Sequence, residues 1–391
     1  MNSVLVALIV TLAVQAFGTM VMFAPAVLAP AAQVDVGMPA SSIGGLISIG
    51  YLGALAATLV SGQAIARFGP LRWSQINLLI SAFGIALIAS AKLPLVIAGA
   101  AVIGVGYGPY TPASSAILVK RTPEKLRATV LSIKQSGVPG GGVLAGVLIP
   151  PLILAFGWQA AALALAAMCA LLAMAIQPTR EQFDRGEAGS VTTARQAVLE
   201  PVRMLWAHAR LRELGYIAFM YSGMQMVFVS FFVVYLTQRV GLTLVNAGGA
   251  LAAGMVSGVL GRVLWGVVAD RLVGPRALLG WLGLGSSAAT CALALMGAHW
   301  PVPAVYAVGI AMGMTSIAWN GVFLAEVART APQGNVGTAT SAALMFAYGG
   351  VVCMPALCWG AISLTGSYEA TFAIVAAVNA AVALLPLRRR A

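Results

Sequence analysis

Long apolar runs separated by short polar ones pattern the chain from end to end. Twelve of them are about as long as the roughly 20 apolar residues that a helix needs to cross a bilayer core. They lie at residues 3–28, 42–64, 73–91, 94–119, 129–154, 158–177, 214–237, 244–268, 276–297, 302–326, 336–361 and 368–387. In lipid every backbone polar group must be bonded within the segment, so runs of this length predict helices. The expected fold is therefore an all-α membrane protein of twelve transmembrane helices. The polar stretch 178–213, rich in acidic residues and arginines and partly amphipathic, is the one long interruption. It is expected to be a cytoplasmic linker joining six helices (1–177) to six (214–391). The first run has small-residue steps such as Ala24-Pro25-Ala26 but no basic segment before it and too long an apolar stretch for a leader, so it reads as a retained helix.

Composition agrees with the pattern. The 391 residues are 60% hydrophobic and 8% charged, with a mean hydropathy of +0.95. The net charge of +12 does not call for a nucleic-acid partner, because no soluble domain is present to carry a basic face. It records topology instead. Of the 22 Lys and Arg residues, only Lys92 and Arg239 fall in loops on the expected outer side, while Lys134 and Arg262 fall within predicted helices. The positive-inside rule then predicts an inner-membrane, multi-pass chain with both termini and the linker in the cytoplasm. The four cysteines, Cys169, Cys291, Cys353 and Cys358, sit in apolar helices without metal-ligand or redox spacing and read as packing residues.

The two halves repeat. GGLISIGYLGALAATLVSGQAIAR (44–67) aligns without gaps on GGALAAGMVSGVLGRVLWGVVADR (248–271), pairing Gly44 with Gly248, Gly45 with Gly249, Gly50 with Gly254, Gly62 with Gly266 and Arg67 with Arg271. Gly69-Pro70 and Gly274-Pro275 follow the two copies. Parallel six-helix repeats describe the two pseudo-symmetric bundles of a rocker-type secondary transporter, with a substrate site expected near the midplane between them.

The second copy, with Gly266, Asp270, Arg271, Gly274, Pro275 and Arg276, resembles the loop motif of the major facilitator superfamily. Gly62, Arg67, Gly69 and Arg72 resemble its degenerate first-half partner, and Gly/Pro-rich fifth and eleventh helices (137–146 and 348–355) extend the likeness over the whole chain. The resemblance implies a monomeric carrier whose cytoplasmic side is latched by the motif. On it Asp270, Arg271 and Arg67 are expected gating residues. Ala66 stands where the family usually has an aspartate, so the latch is expected to rest on Asp270.

Two cations are out of place in this pattern. Arg262 precedes Asp270 by eight residues, about 12 Å of helix, and Lys134 follows the basic Arg127 by seven, about 10 Å. An ionisable group at that depth is costly unless it meets a cavity or a partner. The positions matching Arg262 and Lys134 in the opposite halves are Thr58 and, near an offset of 208, Ala342, so the scaffold itself needs no cation there. All ten acidic residues lie in loops or near helix ends. A guanidinium and an ammonium without a mid-depth carboxylate point to a small anionic substrate, most simply a carboxylate. Gln15, Tyr107, Gln135, Tyr221, Asn320 and Tyr348 complete the expected substrate-binding set as polar tips on apolar bodies. Tyr110, Gln225, Trp319 and Met345 lie at similar depths.

The arrangement Arg262, Gly266, Asp270 is similar to that of the monocarboxylate porters and oxalate/formate exchangers of the superfamily. That likeness implies that the arginine binds the substrate carboxylate. The proton-coupled porters usually carry an aspartate one turn before the arginine, where this chain has Gly258, and the exchangers place their lysine on helix eleven rather than helix five. Exchange or facilitated diffusion gains on proton symport as a result.

Other chemistries find no support. No Gly-Lys dipeptide occurs, which removes the phosphate loop of ATP-driven transport. His208 and His299 form no metal pair, and no Ser/His/Asp grouping suggests an enzyme. No cofactor is expected. A proton-coupled exporter of drugs or metabolites is the rival within the superfamily; a non-transporting sensor or scaffold, for which a large soluble appendage is expected, is the rival outside it.

Overall fold

A computed structural model describes residues 2–37, 43–184, 194–242, 244–297 and 300–388. His299 lies outside them. The described residues form helices and turns, without a strand. The helices are α1 (Asn2–Val36), α2 (Ile43–Phe68), α3 (Pro70–Ile88), α4 (Leu93–Tyr107), α5 (Tyr110–Arg121), α6 (Arg127–Gln135), α7 (Gly137–Phe156), α8 (Trp158–Ala175), α9 (Arg180–Asp184) and α10 (Ala194–Ala207). The second half has α11 (Ala209–Gln238), α12 (Leu244–Val268), α13 (Pro275–Ala294), α14 (Val302–Met312), α15 (Asn320–Thr330), α16 (Val336–Thr365) and α17 (Tyr368–Ala383).

Eleven helical stretches among the described residues are long and apolar enough to span a membrane. The twelfth, α17, is apolar but has 16 residues, because the chain passes into turns at Leu384 short of the expected 387. Three stretches expected as single helices are broken. Residues 94–119 divide at Gly108-Pro109, where Pro109 and Pro112 cannot supply N–H groups to the preceding turn. Residues 129–154 divide at Ser136, because Pro139 has no N–H for the Gln135 carbonyl. Residues 302–326 pass through a π-helical turn at Gly313–Ile317 and reopen at Asn320.

The chain divides into two compact units. The first is Met1–Thr122, Lys134–Ala207 and Ala331–Met345; the second is Pro123–Ile133, His208–Thr330 and Phe346–Ala391. In the first, α3 packs on α4 and α8, α2 on α4, and α1 on α7. In the second, α13 packs on α17, and α12 on α14 and the 313–317 turn. Glycines set these distances: a Cβ on Gly104 would lie 1.8 Å from the Gly50 carbonyl oxygen, and one on Gly313 1.8 Å from that of Gly254. Small residues at such crossings let backbones approach closely where lipid supplies no hydrophobic drive between helices.

Candidate functional site

In the first unit the break at Ser136 ends α6 on Lys134 and Gln135. Glycines at the start of α7 draw α1 close, since a Cβ on Gly137 would lie 3.0 Å from Gln15 Cβ and one on Gly141 2.4 Å from the Ala16 carbonyl. Gln15 of α1 thereby reaches the lysine. Lys134 Nζ donates to Gln15 Oε1 at 2.8 Å, Gln135 Oε1 at 2.9 Å and Thr111 Oγ1 at 3.4 Å. Thr111 also donates to Gln15 Oε1 at 3.3 Å, and Gln15 Nε2 to Thr19 Oγ1 at 3.3 Å. Lys134 is 0% exposed. Gln15, Gln135 and Thr111 are buried with it. These three acceptors are dipoles that solvate the ammonium.

Tyr107 lies one turn before Thr111 and is half-buried. Its ring meets Tyr51 and Tyr110 edge-on, with centroids 6.5 and 6.2 Å away. The Tyr110 ring fills the space left by Gly18, and its hydroxyl pairs with Ser81 Oγ at 2.9 Å. Three tyrosines from α2, α4 and α5 thus form a chain of edge-on rings whose last member, Tyr110, precedes Thr111.

In the second unit the site is built on a helix break. Arg262 is 2% exposed, and its Nε donates to the Ile317 carbonyl at 3.2 Å. Asn320 Nδ2 donates to the same carbonyl at 3.2 Å and to Gln225 Oε1 at 3.4 Å. The π-helical turn ending at Ile317 presents that oxygen to side chains. Gly258 and Gly261 give α12 its approach: a Cβ would stand 2.7 Å from Ile317 Cγ2 in the first case and 2.9 Å from Ala318 Cβ in the second. Gly258 is therefore a packing position, where an aspartate would collide with Ile317. Tyr221 donates its hydroxyl to the Leu279 carbonyl at 2.8 Å, and its ring meets that of Trp319, next to Asn320, edge-on at 5.5 Å. Tyr348 of α16 is 8% exposed.

Of the gating candidates, Asp270 has a defined partner. Its carboxylate accepts from the backbone N–H of Ala128 at 3.0 Å and of Thr129 at 2.7 Å, capping α6. A carboxylate there satisfies orphan amides and meets the positive end of the helix dipole. Arg271 is exposed, and Arg67 is exposed with its guanidinium 5.1 Å from the Phe68 ring centre. The helix that follows the first copy of the motif, α3, has a cap of its own: Asp184 of α9 accepts from Leu71 N at 2.8 Å and Arg72 N at 3.1 Å. It lies against Gly69, whose φ of +85° suits glycine.

Sequence reasoning missed Thr111 and the Ile317 carbonyl. A threonine in a membrane helix commonly bonds its own backbone, and a main-chain acceptor has no signature in side-chain pattern. The proline at 139 and the glycine at 313 were the available signals.

Comparison with known proteins gives the architecture a family. The fucose:proton symporter FucP of E. coli superposes over 100% of both chains with a TM-score of 0.80 at 17% identity. The human organic anion transporter MFSD10 does so over 98% of both with a TM-score of 0.72 at 17% identity. The proton:xylose symporter XylE covers 98% of this chain and 95% of its own at a TM-score of 0.70 and 16% identity. At such identities the likeness is one of fold. The 4-hydroxybenzoate transporter PcaK of Acinetobacter baylyi is 28% identical over 133 residues, 34% of this chain and 29% of that protein. The chain thus spans under a third of the relative's length in that match. The family model described as Major Facilitator Superfamily matches residues 8–355. The chain is a membrane transporter, not an enzyme, and belongs to the major facilitator superfamily.

Proposed function

We propose that the chain is a secondary transporter of small organic anions, carboxylates first, working by alternating access. The observation that carries this reading is the burial of two cations at mid-helix depth, Lys134 at 0% and Arg262 at 2% exposed. Burying an ion is costly unless opposite charge arrives, and an anionic substrate supplies it. Arg262 adds a second buried cation, from the other half of the chain. Its Nε donates to the Ile317 carbonyl, and a guanidinium matches a carboxylate in paired hydrogen bonds. In this reading Asn320 and Tyr107 direct the substrate, and Tyr348 contributes from α16. PcaK, whose name gives 4-hydroxybenzoate as its substrate, supports a carboxylate, and the edge-on rings of Tyr51, Tyr107 and Tyr110, which lead to Thr111, suit one bearing a ring.

Exchange or facilitated diffusion is the proposed mode, because the helix position that would hold a proton-accepting aspartate is Gly258, packed against Ile317. The halves 1–177 and 214–391, joined by 178–213, move as the two bundles of a monomer. Asp270 and Arg271 latch the cytoplasmic side with Arg67 as their first-half counterpart. The Lys/Arg distribution favours an inner-membrane chain with cytoplasmic termini.

Counterflow in liposomes, with labelled aromatic and aliphatic mono- and dicarboxylates and with fucose as the neutral comparison, tests the reading. Wild type should exchange at least one carboxylate and not the sugar, and Lys134→Gln and Arg262→Gln should each lose that exchange. Full carboxylate exchange by both variants, or transport of the sugar alone, would sink it. Uptake driven by a pH gradient without internal counter-substrate would overturn the exchange mode.

A further inference from the structure

At the end of the second unit that carries Asp270, a cavity of about 570 Å³ opens to the surface. Its walls are the segment leading into α6, the π-helical turn at Ala269–Val273 and the last turn of α15. The charged groups lining it are Glu124, Lys125, Arg127, Asp270, Arg271 and Arg329. Cations outnumber carboxylates four to two in that lining, and Asp270 is already engaged by the Ala128 and Thr129 amides. The Arg329 side chain is 47% exposed, with Nε 3.8 Å from Glu326 Oε2. The formal charge of the lining side chains is positive.

An apolar track leads to it. The α12 surface exposes Val256, Leu260, Val263 and Leu264 at helical spacing, and beyond them Leu272, 78% exposed, and Val273 follow Arg271. In a membrane transporter such a stripe faces acyl chains. A guanidinium cluster at its end stands where a phospholipid carries its phosphate.

We propose that this cavity binds the headgroup of an anionic phospholipid, with Lys125, Arg271 and Arg329 holding the phosphate and the acyl chains lying along Leu260, Leu264 and Leu272. Guanidinium forks match phosphate oxygens in pairs, and basic pockets at a membrane surface select anionic headgroups. A soluble phosphate ester would meet the same cations but gain nothing from the leucines, and the exposed Leu272 within the cavity's own lining favours the lipid. The Asp270 cap of α6 forms part of the same wall, so bound lipid holds the π-helical turn against the segment entering α6. This site is independent of the transported substrate.

The test is native mass spectrometry of the full chain released from nanodiscs of equal phosphatidylglycerol and phosphatidylcholine. Wild type should retain phosphatidylglycerol preferentially, and Lys125→Gln, Arg271→Gln and Arg329→Gln should reduce retention about fivefold for each cation removed. Arg72→Gln with Lys92→Gln, cations outside the cavity, should leave it unchanged. Should the triple variant fail to fold, the single changes at exposed Lys125 and Arg329 carry the same expectation. Undiminished retention in the cavity variants, no preference in wild type, or displacement of the lipid by inorganic phosphate or glycerol phosphate would each overturn the proposal.

Discussion

The two copies of the repeated helix, α2 and α12, keep the same backbone contacts and differ in their chemistry. Gly50 meets Gly104 as Gly254 meets Gly313, each pair leaving 1.8 Å for an added Cβ on the second glycine. Gly62 lies against Thr338 at the start of α16, and Gly266 against Thr129 and Ser132 of α6. Yet Thr58, buried beside Gly108, stands where α12 has Arg262, and Ala66 where the second copy has Asp270. The lesson is a division of labour along one helix. Close backbone approach is a requirement of packing in lipid and recurs in both copies; charge appears in one, at the positions to which the proposed cargo and latch roles belong.

Breaking the chemistry should have the largest effect. Lys134→Gln keeps hydrogen-bonding capacity and removes charge, so exchange of the transported carboxylate should fall at least about tenfold while the melting temperature holds. Counterflow together with a thermal melt in detergent separates the two readouts. Arg262→Thr, which gives α12 the residue of α2, should lose transport to a similar degree and also free Asn320 to hold the Ile317 carbonyl alone.

Breaking the packing should harm both copies alike. Gly104→Ala and Gly313→Ala each force a methyl against a backbone oxygen, at a cost of about 1–3 kcal/mol for overpacking. Matched losses of folded yield and melting temperature would support equivalent crossings. A loss confined to one would show that the repeat is only formal there.

The latch gives smaller effects. Asp270→Ala removes two amide acceptors from the start of α6 and should destabilise it by about 1 kcal/mol, read as a lowered melting temperature. Ala66→Asp sharpens the comparison from the other side. Ile65 sits 3.3 Å from a Cβ built on Gly337, so an aspartate at 66 lies near the first turn of α16 and should add a few tenths of a kcal/mol if it caps that helix, by about the exposed charge–dipole value. No change would mean that the first copy is not arranged to accept a latch.

Much of the framework was legible because lipid imposes a single rule on the backbone. Length and apolarity announced the spans, and the Gly and Pro clusters at 104–109, 137–142 and 309–313 stood at the crossings and breaks. Lys134 and Gln135 were read as neighbours in depth, and both share one hydrogen-bonded group with Gln15. Tyr221 was less legible: depth alone put it with the substrate residues, whereas its hydroxyl is fixed to Leu279 between helices. One sequence gives depth but not facing, since facing depends on which neighbours crowd the helix.

Sequence alone determined the helical membrane fold, the repeat, and the identity of the two deep cations, because hydropathy, periodicity and charge are local properties of the chain. Tertiary structure decided what surrounds those cations. Gln15 and Thr111 come to Lys134 from α1 and α5, 119 and 23 residues away, and a main-chain oxygen 55 residues from Arg262 receives its Nε. It also decided that 123–133 packs with the second unit and 331–345 with the first. Such pairings rest on glycine-sized clearances and on helices that break at one residue rather than the next, and these are fixed only when the helices pack.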